Sequence, residues 1–240
     1  MDKYLEFIMP VYNEGKNILK TYEHLKSSMP KDFSWKCFAI YDFDEDTSVP
    51  YLQDLQKQDI RIIPLKQNLD RGIVNALKYG FQQTHNGAVA VIMGDDSDDL
   101  EILPAMYEKY VNGAAVVASS RYSKGGEYQG GNFIKKTLSK LAGFILYRFG
   151  LGTKDPTNNF KLYCGKFLHH VTIESVGGFE VALELTVKAA LQNLKIDEVP
   201  GSWKDRTDGN SKFKIIMWMP HYLKWFFYYL IKRLANNKMT

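Results

Sequence analysis

The chain has 240 residues, 45% of them hydrophobic and 24% charged, with a net charge of +4. That length fits one large domain, or one domain with an appendage, able to bury an ordinary core. The balance excludes disordered, collagen-like and low-complexity readings. Only two cysteines occur, Cys37 and Cys164, and the five histidines show no metal spacing. A disulfide framework or cysteine-rich zinc site is therefore excluded, and a reducing compartment is expected. Nothing at the start resembles a secretory leader, so the expected location is cytoplasmic.

The positive charge is uneven. Residues 203–240 hold eight Lys and Arg against two acids, and the preceding 202 residues hold 23 against 25. A basic end on a slightly acidic body points to phosphate or an anionic membrane, not to nucleic acid.

Along the chain, short apolar runs alternate with helical patterns. Strands are expected at Tyr4–Met9, Trp35–Tyr41, Ile60–Leu65, Ala88–Met93 and Ala114–Ala118. Helices are expected between them at Asn13–Ser28, capped by Asn13, and at Val49–Gln58, Arg71–Thr84 and Leu100–Asn112. This alternation predicts βαβ units, a mostly parallel sheet flanked by helices, and an α/β fold. Ligands of such sheets lie beyond the carboxyl ends of the strands. Two acidic clusters fall there, Asp42 to Asp46 and Asp95 to Asp99. Clustered carboxylates repel unless a cation sits among them. At 95–99, four Asp in five residues after a buried strand favour Mg²⁺ or Mn²⁺ over loop solvation. At 42–46 the two readings stay balanced.

The glycine-rich stretch 125–131 reads either as a connector or as a mobile flap. P-loop, GxGxxG and GxSxG motifs are missing. Residues 215–240 form a second unit after a 1–214 domain. This unit begins with the aromatic, apolar run 215–231, which Pro220, His221 and Lys224 interrupt too often for a membrane span. His221, Lys224, Tyr228 and Lys232 share one helix face, which favours an amphipathic helix lying on a membrane over one docked on protein.

Phe7-Ile8-Met9-Pro10-Val11-Tyr12-Asn13-Glu14 resembles the opening strand and loop of family 2 glycosyltransferases, in particular those similar to dolichol-phosphate mannose synthase. The likeness continues in order. It runs through Ile40-Tyr41-Asp42 with Asp46, Asn68 to Gly72 with Ala76 and Gly80, and Ser119-Ser120-Arg121-Tyr122. It closes on Asp155 to Lys161 and on Glu198-Val199-Pro200 with Asp205-Arg206 and Ser211-Lys212.

The resemblance implies a GT-A-type sheet, a UDP- or GDP-sugar donor and a divalent metal. Pro10, Tyr12, Glu14, Ile40, Asp42 and Gly94 would hold the nucleotide. Asp95 would bind the metal, and Arg121, Arg206 and Lys212 the phosphates. The family's Asp-x-Asp motif has Met93 at its first position here and keeps Asp95, with Asp96 or Asp98 to complete the site. Asn158-Asn159 replaces the usual Ser-Gly pair.

The acceptor is read as a polyprenyl phosphate, which is already ionised and needs no base. A hydroxyl acceptor would need one, and Glu184, with Glu180 behind it, is then the candidate. A non-catalytic nucleotide-sugar-binding protein is the reading from another class. The expected setting is peripheral, at the cytoplasmic face of a membrane, with an oligomer left open.

Overall fold

The structure is a computed structural model describing residues 3–130, 132–204 and 215–237. A seven-stranded sheet forms its centre, in the order β3-β2-β1-β4-β7-β5-β8. The strands are β1 (Lys3–Pro10), β2 (Phe33–Tyr41), β3 (Ile62–Lys66), β4 (Ala88–Val91), β5 (Val116–Ser120), β7 (Lys161–Cys164) and β8 (Ile196–Pro200). All neighbours are parallel except around β7, which runs antiparallel between β4 and β5. The mostly parallel expectation holds, and β7 is the addition that the sequence pattern did not show.

Period-two alternation explains the two-sided core. Along β1, Leu5, Phe7 and Met9 point to one face, where α1 (Ile18–Ser28), α2 (Val49–Gln58) and α4 (Leu103–Val111) cover them. Ile8, with Phe38 and Ile40 of β2, points to the other face, under α3 (Ile73–Gln82), α6 (Gly165–His170) and α7 (Val181–Leu191). The strand β4 reads AVAV and is buried throughout, as a strand covered on both faces must be.

Asn13 is not the cap of α1. It adopts a left-handed φ of 54°, and its side chain accepts from the Thr47 N–H at 3.1 Å. A short 3₁₀ turn over Gly15–Asn17 leads into the helix instead. The glycine-rich stretch holds a three-residue strand, β6 (Glu127–Gln129), paired in parallel with β9 (Ser202–Lys204). Its central residues are thus tied to another part of the chain, and neither a plain connector nor a free flap describes them.

Helix α5 (Phe133–Arg148) follows, capped by the Asn132 side chain, which accepts from the Ile134 N–H at 2.9 Å. The C-terminal helix α8 (Ile215–Asn237) packs Trp225 and Tyr229 against Leu183 and Val187 of α7 and Leu146 of α5. The Tyr229 hydroxyl donates to the Phe149 carbonyl at 3.0 Å. One face of α8 is thus docked on the sheet domain. Among the described residues no helix is long and apolar enough to cross a membrane.

Candidate functional site

The loops after β1, β2, β4 and β5 meet at the carboxyl edge of the sheet. Asp46 joins the first two loops. Its buried carboxylate accepts from the Asn13 N–H and from the Ser48 N–H, both at 2.8 Å. The Ser48 hydroxyl in turn accepts from the backbone of Glu14 at 2.9 Å and of Gly15 at 3.0 Å. Asp42 ties in the loop before α3, accepting from Gln67 Nε2 at 2.8 Å and the Gly72 N–H at 2.9 Å.

Tyr12 is half exposed at this edge and meets the Phe43 ring edge-on at 5.8 Å, while the Arg71 guanidinium lies 4.5 Å over the same ring. Phe43 and Arg71 fall within stretches noted in the sequence but carry no role there. Only the fold brings them to Tyr12. Pro10 and Ile40 pair across β1 and β2, and the Val11 N–H donates to the Ile40 carbonyl at 2.8 Å. Both side chains are buried, so these two residues shape the edge through their backbone.

Gly72 sits at φ 130° and ψ 156°, a region open to glycine. Gly72→Ala is expected to cost about 1–3 kcal/mol, read as a lower urea midpoint. Gly87→Ala, at an unstrained position with open space around it, should not lower the midpoint.

The acidic loop is held on both sides. Gly94 lies so close to β1 that a Cβ there would come within 3.3 Å of the Pro10 carbonyl, and the Gly94 carbonyl accepts from the Thr21 hydroxyl at 2.9 Å. Asp95 accepts from Ser97 N–H and Oγ, the latter at 2.6 Å. Asp96 has a left-handed φ of 57° and pairs with His24 Nδ1 at 2.7 Å. Asp98 is buried and accepts from the Met93 N–H at 2.9 Å. Asp99 accepts from the Ser202 N–H at 3.0 Å, which fastens β9 to the loop.

Burial, and next the charge of Asp95, push the Asp98 carboxyl up to about 7. A buried carboxyl raised by a neighbouring carboxylate suits a hard divalent cation. Asp96 turns its carboxylate to His24, though its charge also adds to the rise at Asp98. Among the described residues no three His, Cys, Asp or Glu side chains gather for a metal. The protein therefore offers Asp95 and Asp98, a small donor set of the kind Mg²⁺ takes when substrate oxygens and water supply the rest.

Arg121 closes the far side. Its Nε and Nη2 donate to the two Asp155 oxygens at 2.6 and 2.8 Å, and its backbone N–H donates to Asp155 at 3.0 Å. Asp155 is fully buried and the Arg121 side chain 10% exposed. Burial acts against both charges, but each holds the other: Arg121 lies above its ordinary range and Asp155 below. The Tyr122 and Tyr128 rings stack nearly parallel at 6.5 Å beside this guanidinium.

Lys161 is wholly buried below, donating to the carbonyls of Pro156 (3.1 Å) and Asn158. Burial pulls its ammonium down to about 7 against the attraction of Asp155. The Asn158 amide donates to the Ser119 carbonyl at 3.0 Å.

Glu184 and Glu180 are buried at the start of α7. Glu184 accepts from the Glu174 and Ser175 N–H groups at 2.6 and 2.8 Å and pairs with Lys188 at 2.8 Å. Glu180 accepts from the Gly177 and Gly178 N–H groups at 2.8 and 2.6 Å. Arg206 and Lys212 lie outside the described residues.

The profile of glycosyl transferase family 2 matches residues 6–168. Curated relatives include the dolichol-phosphate mannosyltransferase of Pyrococcus furiosus, 26% identical over 86% of this chain. That of Saccharomyces cerevisiae is 26% identical over 96% of the chain and 88% of the yeast protein. The chain spans 58% of the length of the Pyrococcus protein.

Glucosyl-3-phosphoglycerate synthase from Mycobacterium tuberculosis, solved with UDP, superposes at TM-score 0.69. It shares 13% identity and covers 95% of this chain and 80% of its own. Its complex with Mn²⁺, UDP-glucose and phosphoglyceric acid superposes at 0.68, also at 13% identity, covering 97% and 80%. These structures share the GT-A fold expected of this chain. Matched from within its first strand to α6, the chain belongs to glycosyl transferase family 2.

Proposed function

We propose that this chain is an inverting glycosyltransferase that moves a sugar from a nucleoside diphosphate sugar, UDP- or GDP-linked, onto a polyprenyl phosphate. The curated relatives that align along most of the chain carry that acceptor in their name, dolichol phosphate. The observation that carries the reading is the state of Glu184 and Glu180. Both candidate bases are buried and committed to backbone N–H groups. A hydroxyl acceptor must lose a proton during attack, whereas a phosphate oxygen is ionised beforehand.

In this reading Tyr12, Phe43 and Arg71 offer a stacking surface for the base, with Glu14 and Asp42 beside it. Asp95 and Asp98 would hold Mg²⁺ or Mn²⁺, and a metal bound there would supply positive charge for the departing diphosphate. Arg121 acts through Asp155. It fixes the segment 155–158 on the acceptor side and is a positioning residue. Arg206 and Lys212 hold donor and acceptor phosphates.

The acceptor oxygen forms a bond to the anomeric carbon from the side opposite the diphosphate. The bond to the leaving oxygen breaks, and the nucleoside diphosphate takes the electron pair. No proton changes hands, and the residues contribute mainly orientation.

The test is acceptor dependence: purified protein, donor sugar and Mn²⁺ with a polyprenyl phosphate or the matching free polyprenol. Product with the phosphate alone is expected. Product with the alcohol and none with the phosphate would overturn the proposal.

A further inference from the structure

Glu6 has no part in the site at the carboxyl edge, yet it is wholly buried in β1. It lies level with the first residues of β4, where Ala88 pairs with Cys164, the last residue of antiparallel β7. This is the amino edge of the sheet. A buried carboxylate is costly unless it is hydrogen-bonded. Here one oxygen accepts from the His85 N–H at 2.7 Å. The other meets His85 Nδ1 at 2.8 Å and the Tyr4 hydroxyl at 3.2 Å.

That contact fixes the tautomer of the imidazole. An ionised carboxylate only accepts, so Nδ1 carries the proton and Nε2 the lone pair. The lone pair is then on the outward side of the ring, in a side chain 76% exposed. A carboxylate behind one ring nitrogen orients a histidine as a metal ligand and strengthens the other nitrogen as a donor.

A second imidazole borders the same space. His169, exposed near the end of α6, lines one open hollow with Thr84, His85 and Asn86. The two elements are held tightly together. The Gly165 N–H, at the start of α6, donates to the Gly87 carbonyl at 2.6 Å, and a Cβ on Gly165 would fall 2.1 Å from the His85 carbonyl. Phe167 and Leu168 anchor α6 in the core. No local spacing links residues so far apart in sequence, and only β7 brings them to one edge.

The donors select the metal class. Imidazole nitrogens suit Zn²⁺, Cu²⁺ and Ni²⁺, whereas carboxylates such as those at the other edge suit Mg²⁺ and Mn²⁺. Among the described residues no third His, Cys, Asp or Glu joins the pair, so water completes the coordination.

We propose that His85 and His169 form a second metal site, for a borderline divalent cation of the Zn²⁺ class, with Glu6 as the positioning residue behind His85. The bound ion ties the 84–87 turn to α6 and stabilises the folded chain, which alone presents both rings. This binding needs neither the sugar donor nor the acceptor.

The test is calorimetric titration of the full chain with Zn²⁺ in excess Mg²⁺, beside thermal melts. Binding is expected, with a melting temperature that rises as Zn²⁺ is added. His85→Gln and His169→Gln should each lower the affinity at least about tenfold and remove the rise, and Glu6→Gln should lower it about 10–100-fold. Asp95→Ala should bind Zn²⁺ as the unmodified protein does. Ring ¹⁵N shifts should show His85 as the Nδ1–H tautomer, and as a mixture in Glu6→Gln. Affinity undiminished in either histidine variant would overturn the proposal, as would affinity lost in Asp95→Ala. An Nε2–H tautomer at His85 in the unmodified chain would overturn the role of Glu6.

Discussion

Asp155→Ala is expected to lower stability by about 3–5 kcal/mol, the usual result of removing one partner of a buried ion pair. Arg121 would keep its charge in a site nearly closed to water, with its bidentate acceptor gone. Lys161 would lose the carboxylate that offsets its own burial. Domains of this kind are stable by about 5–15 kcal/mol, so the loss takes a large share of the total. Urea denaturation reads it as a fall in midpoint with little change in slope. The pair Arg121→Met with Asp155→Leu should recover most of the loss, because it removes both charges while filling similar volume. A loss under about 1 kcal/mol would mean that the pair behaves as a solvent-screened contact.

The second large effect separates the three acids of the loop. Asp95→Ala is expected to reduce kcat/KM for transfer at least about 100-fold, or roughly 2.7 kcal/mol of barrier. Asp98→Asn should act similarly, since Asp98 shares the site with Asp95 and anchors the loop through the Met93 N–H. Asp96→Ala should stay within about threefold, because Asp96 pairs with His24 on α1 instead. Rate against Mn²⁺ concentration checks the assignment. Asp95 and Asp98 variants should need more metal or fail to respond, while the Asp96 variant should follow the unmodified protein. A metal response lost in the Asp96 variant and kept in the Asp95 variant would reverse the assignment.

The parallel part of the fold was legible because its signals are local. Apolar runs of strand length recur between helices, and α2 falls at Val49–Gln58 as its pattern predicts. The antiparallel β7 was not legible. It is four residues long and opens on Lys161, which reads as a surface charge and is buried. Strands β6 and β9 have three residues each, below the length at which alternation can be recognised.

In the site, the acidic loops were visible as carboxylates after strand ends. Their division of labour was not, because it depends on which way each side chain turns. Asp96 escapes through a left-handed backbone that no spacing announces. The Arg121–Asp155 pair joins residues 34 apart, so motif order placed both on the page without showing that they bind each other. Glu184 looked available because an acid in the first turn of a helix is ordinarily exposed, and here it ties down the Glu174–Ser175 backbone. No expectation was drawn from the sequence for 133–148, the helix α5, or for which of its faces turns inward. Only the packing of Gly143 on Lys154 decides this.

The most direct test of the central claim is transfer of labelled sugar from a panel of UDP- and GDP-sugars to undecaprenyl or dolichyl phosphate, with Mg²⁺ or Mn²⁺, beside Asp95→Ala. The account predicts a labelled sugar-lipid from one donor, released nucleotide in equal amount, and loss of both in the variant. Nucleotide sugar bound tightly but never transferred to any phosphate lipid would contradict it.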